Sequence, residues 1–320
     1  MKIVVAGGTG FLGNGLAAAC RADGHEVIVL TRRPRRPGEL AWDPSAPPGG
    51  WFTSIDGADA VVNLAGQPLD AGRWTEARKT SIRESRVDAT RAIVTAIAVA
   101  QRRPKVLVNA SAVGAYGPHG AEPLTESAPP GSDFLASVCA AWEGQALEAS
   151  WMTRVVLLRT GLVLDRDGGA LPKLALPFRL FAGGRAGSGD QYWSWIHRDD
   201  WTRMARWAID TPDVEGRLNL TAPGPVTNRA FTQTLARVLH RPALAPAPAF
   251  ALRLVLGEMA DALVLNGQRV LPAKATLHGF EFRHPELESA LREIYGGSKR
   301  TRPPIVVGQV LPDPAIRIPA

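Results

Sequence analysis

Apolar runs that close on small or polar residues recur through the first half of the chain. They are KIVVAG (2–7), EVIVLT (26–31), GADAVVNLAG (57–66), KVLVNASA (105–112) and RVVLLRTGLVL (154–164). Such short, almost uniformly apolar runs suit buried parallel strands. The stretches between them carry helical patterns. FLGNGLAAACRADG (11–24) reads as a helix closed by Gly24. Residues 74–101 place Ile82, Arg86, Thr90, Ile93 and Ile97 on one stripe at helical spacing. Residues 133–150 predict a further helix, whereas 34–50, rich in Pro and Gly with Trp42 and Trp51 nearby, reads as a loop. Repeated β–α units of this kind predict an α/β fold with a doubly wound parallel sheet.

The pattern changes after Asp165. A short helix with proline punctuation is expected over 171–184 and a strand over 217–222. Next come a helix capped by Asn228 and running to His240, helical character over 249–264, and a short helix begun by Pro272. A strand FEFRH (280–284) and a helix over 285–295 close the pattern. The division expected is a dinucleotide-binding unit over 1–165 with contributions from 185–222, and a smaller α/β substrate-side unit over 166–295. The proline-rich basic tail 296–320, without periodicity, is expected to lie outside both.

Composition narrows the class. The chain has 320 residues, 45% hydrophobic, and a net charge of +7. The two cysteines, Cys20 and Cys139, lie in apolar helical patterns and read as small buried side chains. No disulfide framework is expected, and a reducing cytoplasm is the natural setting. MKIVVAGG enters a strand directly, without a basic segment ahead of an apolar core, and no long uncharged apolar run suggests a membrane span. The basic clusters at 32–37 and 299–304 are not interleaved with aromatics, which argues against nucleic acid. A homodimer is allowed by the pattern but not required, and no metal-ligand spacing is present.

Gly7, Gly10 and Gly13 hold the spacing Gly-x-x-Gly-x-x-Gly where the first strand ends and the first helix opens, with Thr9, Phe11 and Leu12 between and after them. Gly7 makes the turn, Gly10 lets a pyrophosphate approach the backbone, and Gly13 lets the helix lie close to the sheet. The helix N-terminus offers free N–H groups and a positive dipole end. A site for the unphosphorylated carrier wants an acid at the end of the second strand. Thr31-Arg32-Arg33 stands there instead, and a guanidinium forks onto a 2′-phosphate. The cofactor expected is NADP(H), with Arg32 as first contact and Arg33 second. Leu64, Ala65 and Gly66 end the next strand at the same edge. Arg86 is expected either to reach the cofactor or to pair with Asp88 or Glu84.

Taken together, GGTGFLG, TRR, VNLAGQPLDAGRW, SRVDAT, SAVGAYG, RTGLVL and GSGDQYWSWIHRDD resemble the extended short-chain dehydrogenase/reductase superfamily. More narrowly, they resemble its atypical YfcH-like branch, labelled epimerase family. GFEFRHPELESALREI (279–294) is similar to the domain of unknown function found with that branch. The likeness covers about 1–295. It implies NADP(H) binding on a Rossmann fold, a small-molecule substrate, Val163 beside the nicotinamide and Arg86 in a cofactor-touching slot. It also implies a tyrosine and a lysine four residues apart on the helix over 133–150. Here those slots hold Leu135 and Cys139, and the superfamily's serine slot holds Ala112, next to Ser111.

That departure removes the usual acid, a tyrosine whose pKa a neighbouring lysine lowers. Tyr295 and Lys299 have the right spacing, but two glycines between them would break the helical turn. The candidates left for proton exchange or substrate contact are Tyr116, Ser111 and His197, the last with Asp199 or Asp200 to orient it. The alternative for His197-Arg198-Asp199-Asp200 is structural, with Asp200 capping the following helix and His197 buried against Trp195. Lys79 faces either the cleft or solvent. Two functions remain open: an NADP-dependent oxidoreductase or epimerase with unusual acid–base groups, or a catalytically silent NADP(H)-binding sensor or scaffold.

Overall fold

The computed structural model describes residues 1–46 and 49–296; Lys299 and nearly all of the tail lie outside the described residues. The strands are β1 (Lys2–Ala6), β2 (Glu26–Thr31), β3 (Glu39–Ala41), β4 (Ala60–Asn63), β5 (Val106–Ala112), β6 (Pro123–Leu124), β7 (Arg154–Thr160), β8 (Leu162–Leu164), β9 (Tyr192–Trp193), β10 (Trp195–His197), β11 (Gly216–Leu220), β12 (Val226–Thr227) and β13 (Arg269–Val270). The helices are α1 (Phe11–Ala22), α2 (Phe52–Ile55), α3 (Glu76–Val99), α4 (Phe134–Leu147), α5 (Leu171–Arg179), α6 (Arg198–Asp210), α7 (Asn228–Leu239), α8 (Ala249–Leu256), α9 (Glu258–Ala260), α10 (Ala273–Leu277) and α11 (Leu287–Gly296).

Seven parallel strands form the main sheet in the order β11-β7-β5-β4-β1-β2-β3. This is the doubly wound α/β fold. Its winding reverses between β1 and β4, which opens a crevice at the C-terminal strand ends. Apolar side chains fill both faces of the sheet. Val5, Val62, Val108 and Leu158 pack with α1 and α6, while Val4, Val61, Leu107 and Leu157 pack with α3. A third core, with Phe178, Trp195, Phe231 and Leu291, joins α5, α7 and α11.

The structure corrects several sequence expectations. The run 154–164 is two strands. Gly161 lies so close to the Ser194 carbonyl that a Cβ would sit 2.5 Å from it, and the chain leaves the sheet there to pair β8 with β10. FEFRH forms no strand, because the Arg283 and His284 N–H groups donate to the Asp200 carboxylate at 2.9 and 2.8 Å. The cap of α7 is Thr227, whose side chain accepts from the Ala230 N–H. Asn228 instead accepts from the Ala186 N–H at 2.8 Å. The presumed loop 34–50 contains β3, the edge strand.

Candidate cofactor and catalytic site

Gly7 has φ +75°, and a Cβ there would lie 3.0 Å from the Leu64 carbonyl. At Gly13 a Cβ would lie 2.4 Å from the Gly7 oxygen. Both positions therefore admit only glycine, and the turn brings Leu64 and Ala65 against the loop. Gly10 precedes α1 with no side-chain cap, so the N–H groups of Phe11, Leu12 and Gly13 are free to meet an anion. Arg198 braces this loop. It donates to the Phe11 carbonyl at 3.2 Å and to Asp165 at 3.1 Å, and its guanidinium lies 4.8 Å from the Phe11 ring centre.

A cleft of about 620 Å³ opens beside the loop, lined by Gly8, Thr9, Thr31, Arg32 and Arg33, and also by Arg21, Arg35 and Arg36. The Thr9 and Thr31 hydroxyls are 3.4 Å apart. Glu39 of β3 accepts from the Arg35 and Arg36 N–H groups at 2.6 and 3.2 Å, which shapes the arginine-bearing turn. The sequence pattern reached Arg32 and Arg33 but not the other arginines. A loop that excludes side chains at Gly7 and Gly13, beside a group of guanidinium ions, fits a dinucleotide with an additional phosphate.

Arg86 does not pair with Asp88 or Glu84. It folds onto Gly66, donates to the Ile82 and Gln67 carbonyls at 2.9 and 3.0 Å, and stacks 5.1 Å from the Trp142 ring centre. These contacts hold the backbone after β4. Val163 is buried in β8 opposite Ile196.

At the end of β5 the Ser111 hydroxyl donates to Glu143 at 2.6 Å. Glu143 in turn accepts a two-pronged pair from Arg159, at 2.8 and 2.7 Å. Arg159 is 1% exposed. Burial opposes its charge, but the Glu143 carboxylate outweighs burial and raises its pKa. The guanidinium also lies 4.6 Å from the Tyr116 ring centre. Tyr116 is fully buried, donates its hydroxyl to Asn219 at 2.7 Å, and is pushed above the ordinary tyrosine range by burial. It is sealed in this network rather than presented as an acid. Cys139 donates to the Ala112 carbonyl, and burial pushes its thiol up to about 11. It is inert where the lysine would stand.

His197 is placed elsewhere, on the seam between α6 and α11. It is the cap of α6, so the expectation of Asp200 as cap is corrected: Nδ1 accepts from the Asp199 N–H at 3.1 Å. Nε2 therefore carries the proton and donates to Glu293 at 3.0 Å. The ring stacks on His284, 3.9 Å between centres, not on Trp195. His197, His284 and Glu293 offer ligand atoms within 4.8 Å of one another. A metal on Nε2 would require a proton on Nδ1, against the Asp199 N–H, so the hydrogen bonding opposes one.

Burial, and then the His284 ring, hold the His197 pKa below 6.5. Between that lowered value and the ordinary one the unfolded chain binds more protons, so this contribution to stability is lost as pH falls through the window. The melting temperature should drop more between pH 7.5 and 5.5 in the wild type than in His197→Asn, which keeps the cap without the titration. Equal drops would remove the linkage.

Lys79 lies at the surface, between exposed carboxylates. It pairs with Glu76 at 3.2 Å and Glu258 at 2.5 Å and lies over the Phe134 ring. Tyr295 lies in α11 beside Arg179, with its hydroxyl buried. No helix among the described residues is long and apolar enough to cross a membrane.

The sequence pattern of the NAD dependent epimerase/dehydratase family matches residues 3–220, and a domain of unknown function, DUF1731, matches 247–294. The chain is 43% identical over 306 residues to the chloroplastic epimerase family protein SDR39U1 homolog of Arabidopsis thaliana, covering 92% of this chain and 86% of that one. It is 40% identical over 309 residues to epimerase family protein YfhF of Bacillus subtilis, covering 93% and 99%. The crystal structure of human epimerase family protein SDR39U1 (isoform 2) with NADPH superposes at a TM-score of 0.85 and 36% identity, covering 93% of this chain and all of that one. With the glycine turn, the sheet order and the C-terminal region all in agreement, the chain belongs to the NAD dependent epimerase/dehydratase family, in the SDR39U1-type branch that carries DUF1731.

Proposed function

We propose that this chain is an NADP(H)-dependent oxidoreductase acting on a small molecule, in which the protein positions the substrate and water exchanges the proton. The arginine-lined cleft beside the glycine turn carries the reading. The human relative's NADPH supports the choice of carrier. When bound, the nicotinamide supplies the hydride chemistry. Gly7, Gly13 and the open start of α1 hold the diphosphate, while Arg32 and Arg33 take the 2′-phosphate. Leu64, Ala65 and Gly66, braced by Arg86, form the floor of the crevice.

The three candidates differ in what they offer. Tyr116 is sealed and its hydroxyl is engaged with Asn219. His197 is committed to the cap of α6 and to Glu293. Ser111 already gives its proton to Glu143, so its oxygen can only accept. It orients a substrate hydroxyl rather than donating to a carbonyl. Glu143 is held by the Arg159 guanidinium and by the Ser111 hydroxyl. This arrangement favours hydride exchange without a titrating tyrosine.

The test follows NADPH absorbance against a panel of carbonyl compounds. Turnover is expected, with no tyrosine-like ionisation in its pH profile. Ser111→Ala should lower it up to about tenfold, the worth of one neutral hydrogen bond, and Tyr116→Phe should leave it nearly unchanged. A hundredfold loss in Tyr116→Phe would restore Tyr116 as the acid.

One observation favours the silent NADP(H)-binding reading. Leu135, in the tyrosine slot, packs with Trp74, Val138 and Met259. Contacts of Asp70 with Lys173 and of Lys79 with Glu258 hold the surrounding segments together. NADPH binding without turnover on any carbonyl would support that reading.

A further inference from the structure

Arg269, on β13, makes no ion pair among the described residues. Its Nε is buried without a hydrogen-bond partner. Its guanidinium lies 5.4 Å from the Tyr192 ring centre, and Nη1 makes one long contact, 3.4 Å, to the Ala121 carbonyl. Glu122, on the same loop, does not pair with it. His119 is bound through its N–H to the Gly267 carbonyl at 3.0 Å, and its ring Nδ1 is likewise buried and unpartnered. Gly267 itself lies against Tyr192, where a Cβ would be 1.9 Å from the carbonyl oxygen. His119, Tyr192 and Arg269 are thus gathered around one glycine.

The place matters as much as the charge. Gln268, next to Arg269, donates to the Val113 carbonyl at 3.1 Å, and its own carbonyl accepts from Ser194 at 2.8 Å. Val113 follows the end of β5 by one residue. The cluster is therefore tied to the strand end where Ser111 lies, not to the 2′-phosphate cleft of Arg32 and Arg33. An arginine desolvated along one edge, stacked on an aromatic face and without a carboxylate partner has its fork held for an oxyanion.

We propose that Arg269, backed by Tyr192 and assisted by His119, is the recognition site for a carboxylate or phosphate group on the small-molecule substrate. This rests on the reading that a substrate binds beside Ser111. It is testable without turnover.

The experiment uses the full chain saturated with NADPH, so that the phosphate site at Arg32 is filled. Benzoate, inorganic phosphate and neutral benzamide are each titrated, and binding is read by nicotinamide fluorescence and by melting temperature. Saturable binding of benzoate or phosphate, but not benzamide, is expected; whichever anion binds assigns the acid group. Arg269→Met, which keeps much of the stem's packing, should weaken that anion about tenfold or more while leaving NADPH affinity within twofold. Arg269→Lys should recover part of the loss. Tyr192→Leu provides a second variant should Arg269→Met fail to fold, and should weaken the anion severalfold. No saturable anion binding in the wild type, or undiminished binding in the folded variants, overturns the assignment. Anion binding without carbonyl turnover would retain the site and remove only the oxidoreductase reading.

Discussion

Glu143→Gln should lower the unfolding free energy by about 3–5 kcal/mol, the usual cost of leaving one member of a buried ion pair unpaired. The reason lies in Arg159, whose side chain is 1% exposed, against 7% for Glu143. Its Nη1 already lacks a partner, so both of its side-chain hydrogen bonds depend on that carboxylate. The melting temperature should fall by roughly 5–7 °C, at about 1.5 °C per kcal/mol for a chain of 320 residues with an unfolding entropy of about 2.1 cal/mol/K per residue. A second variant separates charge from packing. Glu143→Leu combined with Arg159→Met and Ser111→Ala removes both ions and the hydroxyl that donates to Glu143, and should recover most of the loss, because well-packed apolar replacements of buried pairs are often neutral. Thermal and urea unfolding of the wild type and both variants measure this. A loss under 1 kcal/mol in Glu143→Gln would mean that water reaches the pair.

That pair was absent from the sequence reading, although each half leaves a trace. Glu143 is an isolated acid in the apolar helix FLASVCAAWEGQAL, and Arg159 an isolated base in the strand RVVLLRT. Opposite charges stranded in apolar elements point to a buried partner. Spacing cannot say which, because one lies on a helix and the other on the sheet beneath it. The strands of the parallel sheet were legible because burial on both faces makes them continuously apolar. β3 was not, because three residues at an edge show neither alternation nor an apolar run. Arg35 and Arg36 were hidden with it, since the turn that aims them is shaped by Glu39. FEFRH misled for a different reason. Its aromatic alternation is that of a strand, but the Asp200 carboxylate captures the N–H groups a ladder would need. His197 was legible as a histidine beside acids, yet its hydrogen bonds place it on a structural seam.

The NADP(H) preference should reverse when the arginines after β2 are reversed in charge. Arg32→Glu removes one charge-assisted contact, worth about 1.5–3 kcal/mol, and so weakens NADPH roughly 10- to 100-fold. The cleft limits the effect of this single change, because Arg33, Arg35, Arg36 and Arg21 line it too. Arg32→Glu with Arg33→Glu should exceed that limit. Two carboxylates then meet a dianionic phosphate, and they can also accept from the adenosine ribose of NADH as the acid of an NAD site does. NADPH is therefore expected to lose at least about 100-fold in the double variant, while NADH changes by less than about threefold. Salt provides an independent check: binding of NADPH to the wild type should weaken with ionic strength more than binding of NADH, and the double variant should lose that difference. Calorimetric titration of both carriers at two salt concentrations measures all four quantities. Equal losses for the two carriers would show that Arg32 and Arg33 shape the loop rather than hold the phosphate.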